Sequence, residues 1–265
     1  MEWSAWPGQV AADRRVSVSE PLVVVHEDAA ILARAVAARV IIGLVDAQAR
    51  RGEASIVLTG GRIAAKVHQA IQDNPAQDAV DWSKVDFWWG DERFLPTGDP
   101  ERNETQARQS LLDTLPIDPA RVHPMGSSDG PDGPDAEAAA ARYTDHLIAA
   151  GNGHLPHFDI LMLGVGEDGH IASVFPAHDE GFHPGPVTAV YRSPKPPPIR
   201  LTLTLSAINT ADEVWLVASG DGKADAIAEA INGTSPVPLP CADVHGVTGT
   251  KWLLDKDAAS KLTNP

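Results

Sequence analysis

A repeated order of short apolar run, turn and helical stretch constrains this chain more than any other feature of its 265 residues. Leu22-Val23-Val24-Val25 reads as a buried strand, followed from Asp28 to about Arg51 by a helical pattern with Leu32, Val36, Val40 and Leu44 on one side. Asp28 is a suitable N-cap, and Gly52 closes the helix. A second strand, Ser55 to Leu58, runs into Thr59-Gly60-Gly61, with Ile63 to Ile71 helical behind it. A third, Phe87-Trp88-Trp89, runs into Gly90-Asp91-Glu92-Arg93. Strands separated by helices cannot form hairpins, so the order predicts an α/β fold whose mostly parallel sheet is flanked by helices on both faces.

The second half continues the rhythm. Met125 to Asp135 is rich in Gly, Ser, Asp and Pro and reads as a loop, followed by a helix from Ala136 to Ala150. Phe158 to Leu163 is the clearest strand. Ile199 to Leu205 alternates apolar residues with Thr202 and Thr204, a strand with one polar face. Val214 to Ala218, a helix from Lys223 to Ile231, and a last strand at Trp252-Leu253-Leu254 complete the set. No repeat or linker divides the chain, so a single domain over 1–265 is expected.

Charge narrows the function. The formal balance is −15, which excludes a nucleic-acid binder built on a basic face, and any anionic ligand needs a local cluster of Arg and Lys. Cys241 is the only cysteine, expected to pack as a buried thiol, so no disulfide framework or Cys-rich metal site exists. Met1 to Val10 lacks a leader pattern, and Ala35 to Val45, interrupted by Arg39, is too short to span a bilayer. A cytoplasmic protein without membrane association or an obligate protein partner is the expectation.

Gly164-Val165-Gly166-Glu167-Asp168-Gly169 matches the dinucleotide fingerprint in its letters only. Glu167 and Asp168 would oppose a pyrophosphate, and no acidic residue follows at about 20 positions, where a ribose contact belongs. The glycines instead shape a turn that delivers Asp168-Gly169-His170 to the carboxyl end of a strand, where open α/β sheets bind ligands. His170 is of the residue type suited to taking a proton from water near neutrality. His154 and His157, split by Pro156, read as surface residues rather than metal ligands. Arg93 offers a planar fork for a carboxylate, phosphate or oxyanion. Thr59-Gly60-Gly61-Arg62 can present backbone N–H groups to a phosphate at a helix start. The proline-rich Ser193 to Arg200 segment props Lys195 and Arg200 at a pocket rim, and Lys223 starts a helix where it can serve an anion, although Gly220-Asp221-Gly222-Lys223 lacks P-loop spacing. No G-x-S-x-G elbow is present.

In order, these segments resemble the 6-phosphogluconolactonase family from about Leu22 to Leu254. Leu163 to Pro176, reading LGVGEDGHIASVFP, is the most specific; Trp89 to Arg93 with Asn103, Ser193 to Thr204, and Ser219 to Ala224 are the others. The first loop departs: Arg62 stands where the family usually has a small hydroxyl residue after the glycines. The resemblance implies a modified Rossmann-like sheet and metal-free, cofactor-free hydrolysis of 6-phospho-D-glucono-1,5-lactone in the oxidative pentose phosphate pathway. It further implies His170 as general base, Arg93 at the lactone carbonyl, and Asp168 and Asp91 as orienting groups. Thr59, Gly60, Gly61, Arg62, Asn103, Lys195, Arg200 and Lys223 would hold the substrate, with Arg200 and Lys223 leading at the phosphate from strand ends converging on one sheet edge. Glucosamine-6-phosphate deaminases share Asp-Gly-His-Ile-Ala but continue Phe-Asn-Glu-Pro, whereas this chain has Ser173-Val174-Phe175-Pro176 and lacks the glutamate. A silent sugar-phosphate binding protein is the third reading, separated from the others by turnover.

Overall fold

The computed structural model describes residues 20–263, so the N-terminal segment read above for a leader lies outside the described residues. Six parallel strands form the main sheet: β1 (Leu22–His26), β2 (Ala54–Leu58), β3 (Val85–Trp89), β5 (Ile160–Gly164), β8 (Glu213–Ala218) and β9 (Gly249–Asp255), in the spatial order β1-β9-β8-β5-β2-β3. From β2 the chain moves outward to β3 and then returns to β5 on the other side of β2. That reversal opens a crevice between the carboxyl ends of β2 and β5, the place where such sheets bind ligands.

Period-two alternation in the strands feeds two cores. Ile56, Leu58, Phe87, Trp89, Ile160, Met162, Trp215 and Val217 pack against α1 (Ala29–Arg51), α2 (Arg62–Gln72) and α3 (Asn103–Ser110). Their neighbours Val57, Trp88, Leu161, Leu163, Val214 and Leu216 face α4 (Ala136–Ala150), α5 (Leu205–Ile208) and α6 (Ala224–Asn232). The expected stripe on α1 is buried, with Leu32, Val36 and Leu44 at 0% exposure, and each such side chain contributes ~1.5–3 kcal/mol. Asp28 caps α1 by accepting from the amides of Ala30 and Ile31, both at 2.8 Å, and Gly52 ends it by donating to the Gln48 carbonyl. A charged residue at Val36 would break this packing, because it would be stripped of water inside an apolar cluster.

A second sheet was not anticipated. Strands β4 (Asp91–Arg93), β6 (Val187–Val190) and β7 (Arg200–Leu203) form an antiparallel unit in the order β4-β7-β6. This corrects the expectation that Arg200 reaches the cleft from a parallel strand end: it opens the central strand of the small sheet. The polar face expected of this strand carries Arg200 and Thr202, but it is buried, and Thr204, also buried, lies beyond β7 as the residue before α5. The two threonine hydroxyls are satisfied internally, Thr202 donating to the Leu203 carbonyl and Thr204 to that of Gly185, each at 3.0 Å. Alternation reports which residues share a face but not whether a second layer covers it.

Candidate active site

A cleft of about 490 Å³ lies at the β2/β5 crevice, bounded on its far side by the small sheet and by the turn after β8. It is lined by Thr59, Gly60, Gly61 and Arg62 after β2, Asp91, Arg93 and Asn103 around β4, and Gly166 and His170 after β5. Lys195, Arg200 and Lys223 complete it, so all the sequence-derived candidates except Asp168 line one cavity, and Asp168 is bonded to His170. Lys66, one helical turn beyond Arg62, was missed; its i, i+4 spacing from Arg62 was the available signal.

The turn after β5 is built around His170. Its Nδ1 meets Asp168 Oδ1, and the Asp168 carboxylate also accepts from the His170 amide at 3.3 Å. Partial burial opposes the Asp168 charge, but the hydrogen bond and charge of His170 outweigh it and hold the carboxyl well below the usual range. With Nδ1 committed to a carboxylate, Nε2 is left as the basic nitrogen. A Cβ on Gly166 would fall 2.0 Å from His170 Nδ1, so only glycine permits this arrangement. The Phe175 ring, 4.7 Å away by centroid, covers the imidazole on another side. Behind the turn, the Cys241 amide donates to the Gly169 carbonyl at 3.1 Å. Its thiol is buried and pushed up to about 12 by desolvation, an inert packing group as expected.

Asp91 is the first residue of β4 and lines the cleft from the small sheet. It accepts from Ser173 Oγ at 2.6 Å and from Asn103 Nδ2 at 3.2 Å, and Arg200 Nη1 stands 3.8 Å away. Asn103 also donates to the Asp91 carbonyl at 2.8 Å, and a side chain at Gly60 would strike Asn103 Oδ1 at 1.9 Å. Thr59 Oγ1 accepts from the Gly164 amide at 3.3 Å, tying the ends of β2 and β5 together. Ser173, fully buried, belongs to the family-like Leu163 to Pro176 run, but was not among the expected site residues. Arg93 Nη1 donates to the Glu101 carbonyl at 2.6 Å, while its buried Nε has no hydrogen-bond partner among the described residues.

Among the described residues, six cations line the cleft (Arg62, Lys66, Arg93, Lys195, Arg200 and Lys223) against one carboxylate, Asp91. Gly61 precedes α2 without any side-chain cap, so the first amides of that helix add positive potential. Desolvation and the nearby Lys195 lower the pKa of Lys223, with Glu167 and Asp168 opposing and Arg62 reinforcing the shift. Desolvation likewise lowers that of Arg200, whose guanidinium is engaged on every side: Nε donates to the Pro197 carbonyl, Nη2 to those of Lys195 and Pro196, and Nη1 to Ser173 Oγ.

At the opposite edge of the main sheet, His157 Nε2 lies 3.0 Å from Asp212 Oδ2 and 3.5 Å from Asp159 Oδ1. His157 is exposed, as expected, but the fold supplies the two carboxylates that local spacing could not. Arg51 already binds both oxygens of Asp159, placing a positive charge where a cation would have to sit. Among the described residues, no helix is long and apolar enough to cross a membrane.

Residues 27–252 match the family described as glucosamine-6-phosphate isomerases/6-phosphogluconolactonase. The chain is 54% identical over 252 residues to a 6-phosphogluconolactonase of Streptomyces coelicolor, covering 91% of this chain and 95% of the relative. It is 46% identical to a 6-phosphogluconolactonase of Mycobacterium tuberculosis, over 90% of this chain and 97% of the relative. The fold matches the solved 6-phosphogluconolactonase of Trypanosoma cruzi with a TM-score of 0.79 at 25% identity, covering 92% of this chain and 97% of that one.

Proposed function

This chain belongs to the glucosamine-6-phosphate isomerase/6-phosphogluconolactonase family, and we propose that it hydrolyses 6-phospho-D-glucono-1,5-lactone to 6-phospho-D-gluconate. The observation that carries this reading is a cleft that joins an Asp168-oriented histidine to an excess of positive charge in a protein of net charge −15. A histidine alone could serve many reactions; beside a cluster of cations it suits an anionic ester.

In this reading, His170 Nε2 accepts a proton from water as the water oxygen bonds to the lactone carbonyl carbon. Asp168 keeps the other ring nitrogen protonated and stabilises the imidazolium that forms. Arg93 meets the charge that develops on the carbonyl oxygen. Collapse of the tetrahedral intermediate breaks the bond to the ring oxygen, which takes a proton from His170, and the new carboxyl group releases its proton to solvent. Asp91, held by Asn103 and Ser173, orients this end of the cleft. Lys223, Lys195 and Arg62, with the glycine turn and first amides of α2, receive the phosphate. The deaminase reading needs a carboxylate near the histidine where Phe175 packs instead. A cytoplasmic location accords with this chemistry.

The test is lactone consumption measured against the spontaneous rate, with phosphorylated and plain gluconolactone in parallel. Enhanced hydrolysis that strongly favours the phosphorylated substrate is expected. Binding without turnover would reduce the protein to a sugar-phosphate receptor.

A further inference from the structure

Arg200 reads from sequence as a phosphate ligand, yet its surroundings are those of a clamp. Only 5% of it is exposed. Nε donates to the Pro197 carbonyl at 3.2 Å, and Nη2 donates to those of Lys195 and Pro196 at 2.9 and 3.1 Å. Nη1 donates to Ser173 Oγ at 3.4 Å and faces Asp91 Oδ2 at 3.8 Å. A guanidinium has five N–H groups, four of these are hydrogen-bonded, and the last looks toward a carboxylate. An incoming phosphate would have to displace the carbonyls of residues 195 to 197, and those of Pro196 and Pro197 have no other hydrogen bond among the described residues.

Three of those acceptors belong to consecutive residues, 195 to 197, of the segment that carries Lys195. The rest of its fixing comes through Ser193, which donates its amide to the Pro198 carbonyl at 3.0 Å and its hydroxyl to that of Lys195 at 2.7 Å, and accepts from the Lys195 amide at 3.3 Å. Prolines at 194, 196, 197 and 198 remove the amides with which a loop normally ties itself down. We infer that Arg200 is a positioning residue, which fastens the Lys195 segment to Ser173 and Asp91 and thereby sets the Lys195 ammonium in the cleft. This rests on the proposed lactonase reading for the role of Lys195, but the clamp itself can be tested apart from it.

Arginine and lysine substitute differently under the two roles. A phosphate ligand keeps most of its function as lysine, a point charge that binds phosphate well. A clamp does not, because three donors on one nitrogen cannot reproduce a planar fork spread over three carbonyls and a hydroxyl. Arg200→Lys and Arg200→Met should therefore raise KM for the phosphorylated lactone by similar factors, about tenfold, with kcat within about threefold. Lys195→Met should add little on top of Arg200→Lys, because the two act as a unit. Amide hydrogen exchange at Ser193 and Lys195 should accelerate in Arg200→Lys. Near-normal KM in Arg200→Lys with a large loss in Arg200→Met would overturn the clamp, as would unchanged exchange at those amides. If Arg200→Lys does not fold, Ser193→Ala loosens the same segment from its other side; a smaller KM increase supports the inference, and an unchanged KM overturns it. Failure of the unaltered protein to hydrolyse the lactone would sink the proposed reaction instead, while the exchange comparison would still decide the clamp.

Discussion

The two edges of the parallel sheet treat charge in opposite ways. At the amino-terminal edge, Arg51 is paired with Asp159, Arg121 with Asp86 and Glu53 at 2.6 and 3.0 Å, Lys251 with Glu213, and His157 with Asp212. At the carboxyl edge, Arg62, Lys66 and Lys195 form no ion pair among the described residues, and Lys223 has only the exposed Glu167 at 3.9 Å. Paired charges satisfy one another and need no third party. Like charges gathered without partners repel, and a fold keeps such an arrangement where a ligand resolves it. The contrast assigns chemistry to one edge and stability to the other, and each claim can be broken.

The largest effect belongs to His170. Replacement by Ala or Asn should lower kcat by about 10²–10⁴-fold, the usual contribution of a positioned general base. The melting temperature should stay near the parent value, because the side chain lies at the cleft wall and not in either core. A His170→Ala protein with parental turnover would remove the chemistry from this edge.

Glu92 sharpens the comparison because it is a carboxyl-edge charge that is sealed rather than open. It has no solvent exposure, accepts from the amides of Arg93, Asn103 and Glu104 at 2.7, 2.7 and 2.9 Å, and faces Arg102 at 3.7 Å. Burial pushes its carboxyl up to about 7 from an ordinary 4.5, with Arg102 and the three amides pulling the other way. Between those values the native state holds a proton that the unfolded chain has released. The Glu92 contribution to stability is therefore fully present below about pH 4.5 and is lost as pH rises through about 7. Its size is ~3 kcal/mol at ~1.4 kcal/mol per unit. Glu92→Gln cannot titrate, so urea unfolding at several pH values should show a flatter profile than the parent; an unchanged slope would mean that Glu92 is ionised throughout.

Lys223 tests the open cations directly. Lys223→Met should raise KM for the phosphorylated lactone by about 10–100-fold, since a charged hydrogen bond is worth ~1.5–3 kcal/mol, and should scarcely alter turnover of the plain lactone. Desolvation and then Lys195 lower its pKa, so the charge is lost at a lower pH than for an ordinary lysine. KM for the phosphorylated substrate should accordingly climb on the alkaline side, and the variant should lack that climb. Equal losses on both substrates would place Lys223 at the reacting carbons.

Much of this was legible in the sequence because it is local. The strand-turn-helix rhythm gave the parallel strands, and the position of each glycine turn after a strand placed Thr59, Asp91 and His170 at one edge. The antiparallel sheet was not legible: β4 is three residues long and directly follows β3, so it reads as a loop. The sealed state of Glu92 depends on Arg102, and the engagement of Arg200 on Ser173 from another loop and on a backbone path that turns the carbonyls of residues 195 to 197 onto the guanidinium, a conformation the residue pattern does not announce. Sequence identifies a charged side chain at a strand end. Only the packing around it separates one that waits for a ligand from one already committed.

Arg51 supplies the smallest effect and the control for the whole contrast. It sits at the end of α1, where it binds both oxygens of Asp159, and Asp159 in turn accepts from the Ser55 amide at 2.9 Å at the start of β2. Asp159 is nearly buried, whereas about a third of the Arg51 side chain is exposed, at 34%. Removing the arginine leaves a carboxylate with an amide and a histidine for company, not a wholly abandoned buried charge. Arg51→Met should cost about 1–2 kcal/mol, between an exposed pair and a hydrogen bond to a buried ion. For a domain of this size that lowers the melting temperature by roughly 3–6 °C. Turnover of folded protein should change by less than about twofold, because the pair lies at the far end of β2 and β5 from His170 and additivity holds at such separations. Thermal denaturation paired with the lactone assay reads both quantities. A drop in kcat/KM without a drop in stability would show that the amino-terminal edge takes part in the reaction, and the division of labour between the two edges would fail.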